Sequence, residues 1–484
     1  MASESQVTAS ESGLDHIKVT PVIISFVVAG FIGLFSETAL NMALSHLIHS
    51  LGIHETTAQW LTTGYLLTLG ILVPVSGIIL QWFTTRQLFI TSLIFSIIGT
   101  FIAAIAPAFS VLMIARVVQA LGTALLLPLM FNTILFIVPP YKRGKIMGII
   151  GLVIMFAPAV GPTLSGLILK NLTWHWIFWI SLPLLVMALI FGLFFMQNVT
   201  TPTKPKIDLI SIVLSSIGFG GIVYGFSSAG ESDGWSSTPV IIALVVGAIG
   251  LLLFVTRQLN MEKPMLNLKA FRYPMFSLGV LMVIVSIMVI LSSMILLPLY
   301  LQTSLALSTF AAGLLLLPGG VINGLLSPVM GSLFDKFGPK WLVISGLVIT
   351  LGSMLGFSRI TLDTTSGTIV ILHILMMVGV SMVMMPAQTN GLNQLPKELY
   401  PDGTAIMNTL QQVAGAIGTA VAISILSSGV QRYMETTDDK TNPLNPLLAF
   451  TEGVQQAFIF AIIITIVGLI ISFFIKRVKV YREA

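Results

Sequence analysis

The chain has 484 residues, of which 56% are hydrophobic and 8% are charged, whereas about 25% of the residues in a typical soluble domain are charged. With a mean hydropathy of +1.00, it has too few polar side chains to cover a globule in water, which excludes a soluble fold and requires lipid around most of its surface. It contains no Cys, which excludes disulfides, thiolate metal sites and cysteine nucleophiles.

Apolar segments that could cross a bilayer follow one another along the chain. About 20 apolar residues in a helix span ~30 Å of hydrocarbon. Fourteen segments meet this condition, which predicts an all-α membrane protein with both termini on one side. The first segment follows a polar tail without a cleavage site, so we expect a retained helix and no signal peptide. The predicted boundaries are 22–45, 58–80, 87–107, 110–138, 145–170, 175–197, 207–228, 238–258, 273–301, 308–333, 339–359, 366–388, 404–429 and 453–475.

The basic residues are distributed unequally between the two sides of the predicted membrane. Of the 23 Lys and Arg residues, 18 fall on the side of the termini, four fall on the other side, and Arg116 alone falls inside a span. The positive-inside rule therefore places both termini in the cytoplasm of a multi-pass plasma-membrane protein. This orientation accounts for the net charge of +5 without a nucleic-acid partner.

Predicted helix 1 carries Glu37, the only acidic residue that we place well inside a span. A carboxylate in hydrocarbon costs several kcal/mol, so such a group faces a cavity, has a partner, or stays protonated. These properties suit a proton carrier, although a carboxyl group that only joins two helices would also explain it. Asn41 lies one turn further on and can share the same helix face.

Predicted helix 4 carries Arg116, with Gln119 about one turn away on the same face. A buried cation favours ionisation of a nearby carboxylate, which could couple protonation to conformation. The alternative is a scaffold contact to backbone carbonyls. Glu37, Asn41, Arg116 and Gln119 are therefore the candidate proton-coupling residues.

Predicted helix 5 contains prolines and glycines at four-residue spacing, namely Pro158, Pro162 and Gly166, with Gly161 in a second stripe of small residues. Small side chains allow helices to approach closely, and proline bends a helix axis. We expect this helix to slide or seal between two halves of the protein, although an ordinary packing surface would have the same composition.

Two connections, 77–86 and 331–340, align without gaps: both begin with Gly, have Phe at the seventh position and end with a base. If they correspond, helices 1–6 repeat as helices 9–14, and helices 7 and 8 are an insertion. The second connection contains Gly331, Asp335, Lys336 and Gly338, and its charged pair could hold one conformation closed by pairing or by capping a helix.

The repeat predicts five regions of the chain. They are a cytoplasmic tail (1–21), an N-terminal six-helix bundle (22–197), a linker with two inserted helices (198–272), a C-terminal six-helix bundle (273–475) and a second cytoplasmic tail (476–484). Two bundles around a midplane cavity can rock against each other, which predicts a transporter. No phosphate loop or nucleophile motif is present, which argues against ATP hydrolysis and other enzyme chemistry.

Predicted helices 12 and 13 carry further polar and adaptable side chains. His373 could relay protons, and Met377 belongs to a run of methionines that could contact bulky apolar ligands, although both residue types are often simply packed. Asn408, Gln411 and Gln412 could line the cavity or join helices. The outer connection of about 430–452 is acidic, and we expect a solvated cap there.

These motifs resemble those of the major facilitator superfamily, in particular its branch of fourteen-helix drug/proton antiporters, over essentially the whole chain. The segment 157–166 looks like the antiporter motif of this branch, and 331–340 looks like its loop motif. Arg116 with Gln119 is similar to its helix 4 motif, and Glu37 stands where Asp is more usual. Trp60 and Tyr65 in helix 2 are similar to the branch as well.

The first connection departs from the family pattern, because Gln81, Trp82 and Thr84 replace an acid, a base and a glycine. The charged pair that usually closes the first half is therefore in doubt. The segment 84–89 resembles the bacterial lincomycin-resistance type of exporter. His175 stands where the family often has Arg.

The resemblance implies a proton-coupled exporter of amphipathic, often cationic drugs in the bacterial cytoplasmic membrane. It implies a monomer among membrane lipids that uses no cofactor beyond the proton gradient. The candidate substrate-cavity residues are Trp60, Tyr65, His373, Met377, Asn408, Gln411 and Gln412. Two alternatives stay open, namely an exporter of a native metabolite or lipid-like compound and a membrane sensor that does not transport.

Overall fold

The computed structural model describes residues 19–53, 55–229, 234–437 and 442–478. Within them, fourteen helices are long and apolar enough to cross a membrane. The helices are α1 (Val19–Leu51), α2 (Glu55–Trp82), α3 (Thr85–Ala104), α4 (Phe109–Ile137), α5 (Arg143–Asn171), α6 (His175–Phe195), α7 (Leu209–Ala229), α8 (Thr238–Asn260), α9 (Pro274–Thr303), α10 (Thr309–Phe337), α11 (Pro339–Phe357), α12 (Ser366–Asn393), α13 (Tyr400–Thr436) and α14 (Asn445–Ser472). Short 3-10 helices at Pro140–Lys142 and Lys397–Leu399 precede α5 and α13, and a third at Leu268–Arg272 precedes α9.

Helices α13 and α14 are longer than predicted. Helix α13 continues to Thr436, and α14 begins at Asn445, so the expected outer cap of 430–452 is mostly helical. A charged residue marks where a helix leaves the hydrocarbon layer and not where the helix ends, which explains the error. The first turns of α14 are also packed: Ala449 is fully buried, and the hydroxyl of Thr451 donates to that of Ser304 at 2.9 Å.

The two six-helix bundles show the same pattern of helix contacts. In the first bundle α1 packs against α5 and α6, α2 against α4, and α3 against α4 and α6; in the second, α9 packs against α13 and α14, α10 against α12, and α11 against α12 and α14. The predicted repeat of helices 1–6 as 9–14 is therefore the architecture of the molecule. The exact domain boundaries stay predictions.

Two seams join the bundles. Helix α5 packs against α10 in the α5–α10 seam, and α2 packs against α13 in the α2–α13 seam. The inserted helices α7 and α8 pack against each other, and α7 also contacts both α2 and α13. Helix α8 carries large exposed apolar side chains such as Leu252 and Leu259, both 65% exposed, as expected for a lipid-facing helix.

We call one end of the molecule the basic face. It holds the connections that follow α2, α4, α10 and α12, which carry or adjoin the basic residues Arg86, Lys142, Lys336 and Lys397. The other end is the opposite face.

Candidate functional site

The side chain of Arg116 lies inside the first bundle and is 1% exposed. Its Nε donates to the carbonyl of Leu61 at 3.3 Å, and one terminal nitrogen donates to Oε1 of Gln119 at 3.2 Å. The guanidinium carbon lies 4.1 Å from the ring centre of Tyr65, which is a cation–π contact. Contacts of this kind offset part of the cost of burying a charge in the membrane.

The Arg116 cluster extends across three helices. The side-chain amide of Gln119 donates a hydrogen bond to the hydroxyl of Thr100 on α3 at 3.0 Å, and the hydroxyl of Tyr65 on α2 donates to that of Thr123 at 2.9 Å. The structure thus brings together Arg116, Gln119 and Tyr65, which the sequence analysis assigned to two different sites. Removing one side chain from a buried network of this type leaves its partners unpaired, and each unpaired group costs free energy.

Glu37 and Asn41 lie in α1, but their side chains are outside the described part of the structure. The predicted coupling between Glu37 and Arg116 therefore stays a prediction. Helix α1 packs against α4, which carries Arg116, and against α5.

The helix 5 motif contacts both bundles. Gly161 faces the side chain of Thr38 on α1, where a Cβ atom would overlap the hydroxyl, and Ser165 donates to the carbonyl of Ala39 at 2.8 Å. These contacts lie within the first bundle, which differs from the predicted surface between the halves. Gly166 lies on the other side, where a Cβ atom would be 3.7 Å from Phe310 of α10. Pro158 is half-buried, and the Pro162 side chain is outside the described residues.

A different stripe of glycines brings the backbones of α5 and α10 together in the α5–α10 seam. Gly144 and Gly148 of α5 meet the backbone of α10 at Gly331 and Ser327, so closely that a Cβ atom on any of these glycines would overlap backbone atoms. Sequence analysis missed Gly144 and Gly148, although their four-residue spacing is the same signal that identified Gly161.

Asp335 holds the basic end of the α5–α10 seam. Its two carboxylate oxygens accept from the backbone N–H groups of Gly144 and Lys145, each at 2.9 Å, at the positive end of α5. Of the two predicted roles, the structure shows capping rather than pairing with Lys336. The carbonyls of Asp335 and Lys336 instead accept from the Arg477 guanidinium, at 2.6 and 3.1 Å.

Gly338 ends α10 with a φ of +81°, a conformation that strongly favours glycine. Its N–H donates to the carbonyl of Phe334 at 2.8 Å. A Cβ atom there would also lie 2.9 Å from the Arg477 side chain. Both observations explain a glycine at this position of the turn.

Arg143 is a second buried cation. The sequence analysis counted it only among the 18 basic residues on the side of the termini. Arg143 is 3% exposed and donates to the carbonyls of Leu135 and Val138 at the end of α4. It also reaches the second bundle, where it donates to Oδ1 of Asn393 at 2.9 Å and lies 5.1 Å from the Tyr400 ring centre. Arg143 therefore links the bundles at the basic face.

The residues predicted to line a substrate cavity occupy several environments. Trp60 is 40% exposed, and its ring centre lies 5.7 Å from that of Tyr224 of α7 in a tilted arrangement, which places it against the insertion. His373 is packed on Gly319 of α10, and the Met377 carbonyl accepts from Asn323 at 3.0 Å.

On α13, Asn408 is buried and donates to the Thr404 carbonyl of its own helix at 2.8 Å. Gln411 and Gln412 are half-buried. The buried amide nitrogen of Gln411 has no hydrogen-bond partner among the described residues, so it is available to a ligand or to water.

Three further amide side chains among the described residues share this property, and sequence analysis missed all three; one is Asn132 on α4, whose Oδ1 has no partner. Gln388 on α12 is 1% exposed, and neither of its amide atoms has a partner in the described part of the chain; the same is true of Oδ1 of Asn323 on α10. An unpaired buried amide costs about 1–3 kcal/mol. A polar ligand or a water molecule that forms a hydrogen bond with these amides would recover this free energy.

Comparisons with known proteins agree with this architecture. The sequence matches the model of the Major Facilitator Superfamily over residues 26–419. It is 67% identical over 476 residues to the lincomycin resistance protein LmrB of Bacillus subtilis, a match that covers 98% of this chain and 99% of the relative. It is 64% identical over 468 residues to LmrB of Listeria monocytogenes, covering 97% and 99%.

Among solved structures, the crystal structure of the human organic anion transporter MFSD10 (TETRAN) aligns with a TM-score of 0.63. The alignment covers 94% of this chain and 99% of that chain at 12% sequence identity, so it shows a shared fold. The fourteen helices, the repeated bundles and the family match lead to one assignment. This chain is a multi-pass membrane transporter, not an enzyme, and it belongs to the Major Facilitator Superfamily.

Proposed function

We propose that this chain is a proton-coupled exporter of amphipathic drugs, including lincosamides, that works by alternating access. The observation that carries the proposal is the 67% identity to a lincomycin resistance protein over 98% of the chain. A match over this share of the chain spans both bundles and the insertion.

The proposed orientation places the basic face in the cytoplasm, because Lys and Arg accumulate on the cytoplasmic side of membrane proteins. Hydrogen bonds from Arg143 to Asn393 and from Gly144 to Asp335 cross between the bundles at this face. Contacts that close one face are what alternating access requires while the cavity communicates with the other side. In this proposal, drug leaves and protons enter through the opposite face.

Glu37 is the proposed proton carrier, and Arg116 with Gln119 is the proposed link to conformation. The support for Arg116 is its burial, since a scaffold without transport has little reason to keep a cation in the membrane. Its Tyr65 and Leu61 contacts join α4 to α2, so a change in the charge near Arg116 would alter the contact between these two helices. Asn41 is proposed to share the polar face of Glu37.

The proposed ligand surface combines unpaired amides with adaptable apolar groups. Gln388, Asn323 and Gln411 offer amide groups, and Met377 offers a soft apolar contact. Asn408, Gln412, His373, Tyr65 and Trp60 are retained as candidates for the same cavity. The proposed transporter acts as a monomer among membrane lipids, and the proton gradient drives it without a cofactor.

The test is transport of lincomycin and of a cationic dye by proteoliposomes under an imposed pH gradient. We expect the unmodified protein to transport both compounds, with protons moving in the opposite direction. We expect Glu37→Gln to bind both compounds without responding to the gradient, and Arg116→Ala to lose coupled transport. Glu435→Gln is the matched control, because it makes the same chemical change at an exposed position of α13.

Two results would contradict parts of the proposal. Normal coupling in Glu37→Gln would reject Glu37 as the carrier. Transport of neither compound by the unmodified protein would reject drug export itself.

A further inference from the structure

The first connection, which lacks the charged pair of the second, contacts the linker that leads into the insertion. The carbonyl of Gln81 accepts from the N–H groups of Thr203 and Lys204 at 2.9 and 3.2 Å. The indole N–H of Trp82 donates to the carbonyl of Pro205 at 2.8 Å. The end of α2 therefore holds the chain segment that precedes α7.

The segment that follows α8 is held by the other bundle. Asp402, in the first turn of α13, is 5% exposed, and its Oδ1 accepts from the N–H of Asn267 at 2.9 Å. The neighbouring Leu266 is 2% exposed and reaches the seam, where a Cβ atom on Gly77 would lie 3.6 Å from it. The two ends of the insertion are thus attached to different bundles.

Direct backbone packing and side-chain hydrogen bonds join the two inserted helices to each other. Gly221 and Gly247 bring the backbones of α7 and α8 into direct contact. Arg257 donates to both oxygens of Asp208, at 2.7 and 3.0 Å, and this bond lowers the pKa of Asp208 to about 2. The amide nitrogen of Gln258 donates to the hydroxyl of Ser211 at 2.7 Å. Its amide oxygen accepts from the N–H of Leu266 at 3.1 Å.

Helix α7 also covers the α2–α13 seam toward the opposite face. A Cβ atom on Gly70 of α2 would lie 3.0 Å from Val223 of α7. The indole of Trp235, just after α7, donates to the hydroxyl of Ser424 on α13. The insertion therefore contacts both sides of one seam at several levels.

We propose that the α7–α8 insertion is a strap that holds the α2–α13 seam closed at the basic face, with Trp82 and Asp402 as its two positioning residues. The bundles separate at this face during alternating access, so one attachment must release in each cycle. Only this release of an attachment during alternating access rests on the proposed function. The proposal assigns a role to the two inserted helices and to the departure of the first connection from the family pattern.

The test measures how readily the α2–α13 seam opens. The chain has no Cys, so Ala405→Cys, in a fully buried position that faces Gly77, supplies a single thiol. The full chain is placed in nanodiscs, and the rate of maleimide labelling is recorded with no drug present. Ser327→Cys, 1% exposed in the α5–α10 seam, reports on the other seam.

In the Ala405→Cys protein, we expect Asp402→Ala and Trp82→Phe each to raise the labelling rate about fivefold, which is about 1 kcal/mol and the size of one hydrogen bond. Asp402→Asn keeps an oxygen that can accept from Asn267, so its rate should stay within about twofold of the parent. Labelling of the Ser327→Cys protein should not change with any of these substitutions.

Unchanged labelling in both Asp402→Ala and Trp82→Phe would overturn the strap, as would equal rises at both seams. Trp82→Phe keeps an aromatic ring, so it also separates the loss of the hydrogen bond from a failure to fold. Labelling requires no drug, so failure of the strap and failure of drug export are distinguishable results.

Discussion

The two seams between the bundles close by different means. The α5–α10 seam brings two backbones together through Gly144, Gly148 and Gly331, and Asp335 caps α5 at its basic end. At the corresponding place in the α2–α13 seam, the approach of Gly77 to Ala405 is looser, and Gln81 replaces the acid. The related positions of a repeat have therefore diverged, one toward direct packing and the other toward an attached insertion.

The first half has lost the charged motif but keeps a mechanical role at the same place in the repeat. Gln81 donates its side-chain amide N–H to the Gly77 carbonyl of its own helix at 3.2 Å, so this donor is used within α2. Its backbone and its neighbour Trp82 instead hold the linker. Thr84 completes the turn through a reciprocal pair of hydrogen bonds with Gln87, a capping box that starts α3.

The largest effect is expected from Gly331→Ala. The added methyl would meet the backbone of Gly144, and backbone cannot move aside as a side chain can. Overpacking of this kind costs about 1–3 kcal/mol, so we expect drug transport to fall about tenfold or more. The measurement is the initial rate of lincomycin transport per folded protein in proteoliposomes.

Gly352→Ala on α11 is the matched control, because a Cβ atom there would meet nothing within 4 Å. It should transport at the normal rate and gain slightly in stability from its helix propensity. Equal losses in the two variants would show that the seam is not the cause.

A smaller effect is expected from Asp335→Ala. Loss of a helix-capping side chain costs about 0.5–2 kcal/mol, so the basic end of the α5–α10 seam should open more often. Gln81→Ala is the paired variant, and it should have little effect because its contact with the linker is through the backbone. Maleimide labelling of Ser327→Cys measures the effect of Asp335→Ala, and labelling of Ala405→Cys measures that of Gln81→Ala; a larger rise for Gln81→Ala would reverse the comparison.

Gly77→Ala should have a weaker effect than Gly331→Ala. The new methyl would lie 3.2 Å from the Cβ of Ala405, a tight contact that the two helices can relieve by moving apart by a few tenths of an ångström. We expect transport to fall by about twofold to threefold, or less than 1 kcal/mol. A loss as large as that in Gly331→Ala would mean that the two seams are equally tight.

The smallest effect is expected from Asp208→Asn, which weakens the strap internally. The Arg257 bond lowers the pKa of Asp208 from 3.8 to about 2, so its contribution is fully present above pH 4 and is lost as the pH falls toward 2. The decrease in melting temperature should therefore be small and equal at pH 5 and pH 8. A difference that disappears between these two values would contradict the assignment.

Much of the fold follows from local rules. The positions of fourteen helices are set by runs of apolar residues that must cover ~30 Å, and the repeat is visible in the 77–86 and 331–340 connections. The extension of α13 to Thr436 was missed because hydropathy reports the lipid boundary, whereas backbone hydrogen bonds and packing decide where a helix ends.

The functional site was less predictable. Arg116 and Gln119 could be paired from their spacing, since residues three apart share a helix face. Arg143 could not be distinguished from its neighbours Lys142 and Lys145, because its burial depends on Tyr400 and Asn393, which lie more than 240 residues away. The same long-range dependence hid the role of Asp402, whose partner Asn267 is 135 residues away.

The most direct test of proton-coupled export imposes a lincomycin gradient on proteoliposomes with equal pH on both sides. A trapped dye records the internal pH. Proton-coupled export predicts that protons move against the direction of the drug, and that Glu37→Gln abolishes this movement while Glu435→Gln does not. Movement of lincomycin with no change in internal pH would contradict the central claim, that drug export by this chain is exchange for protons.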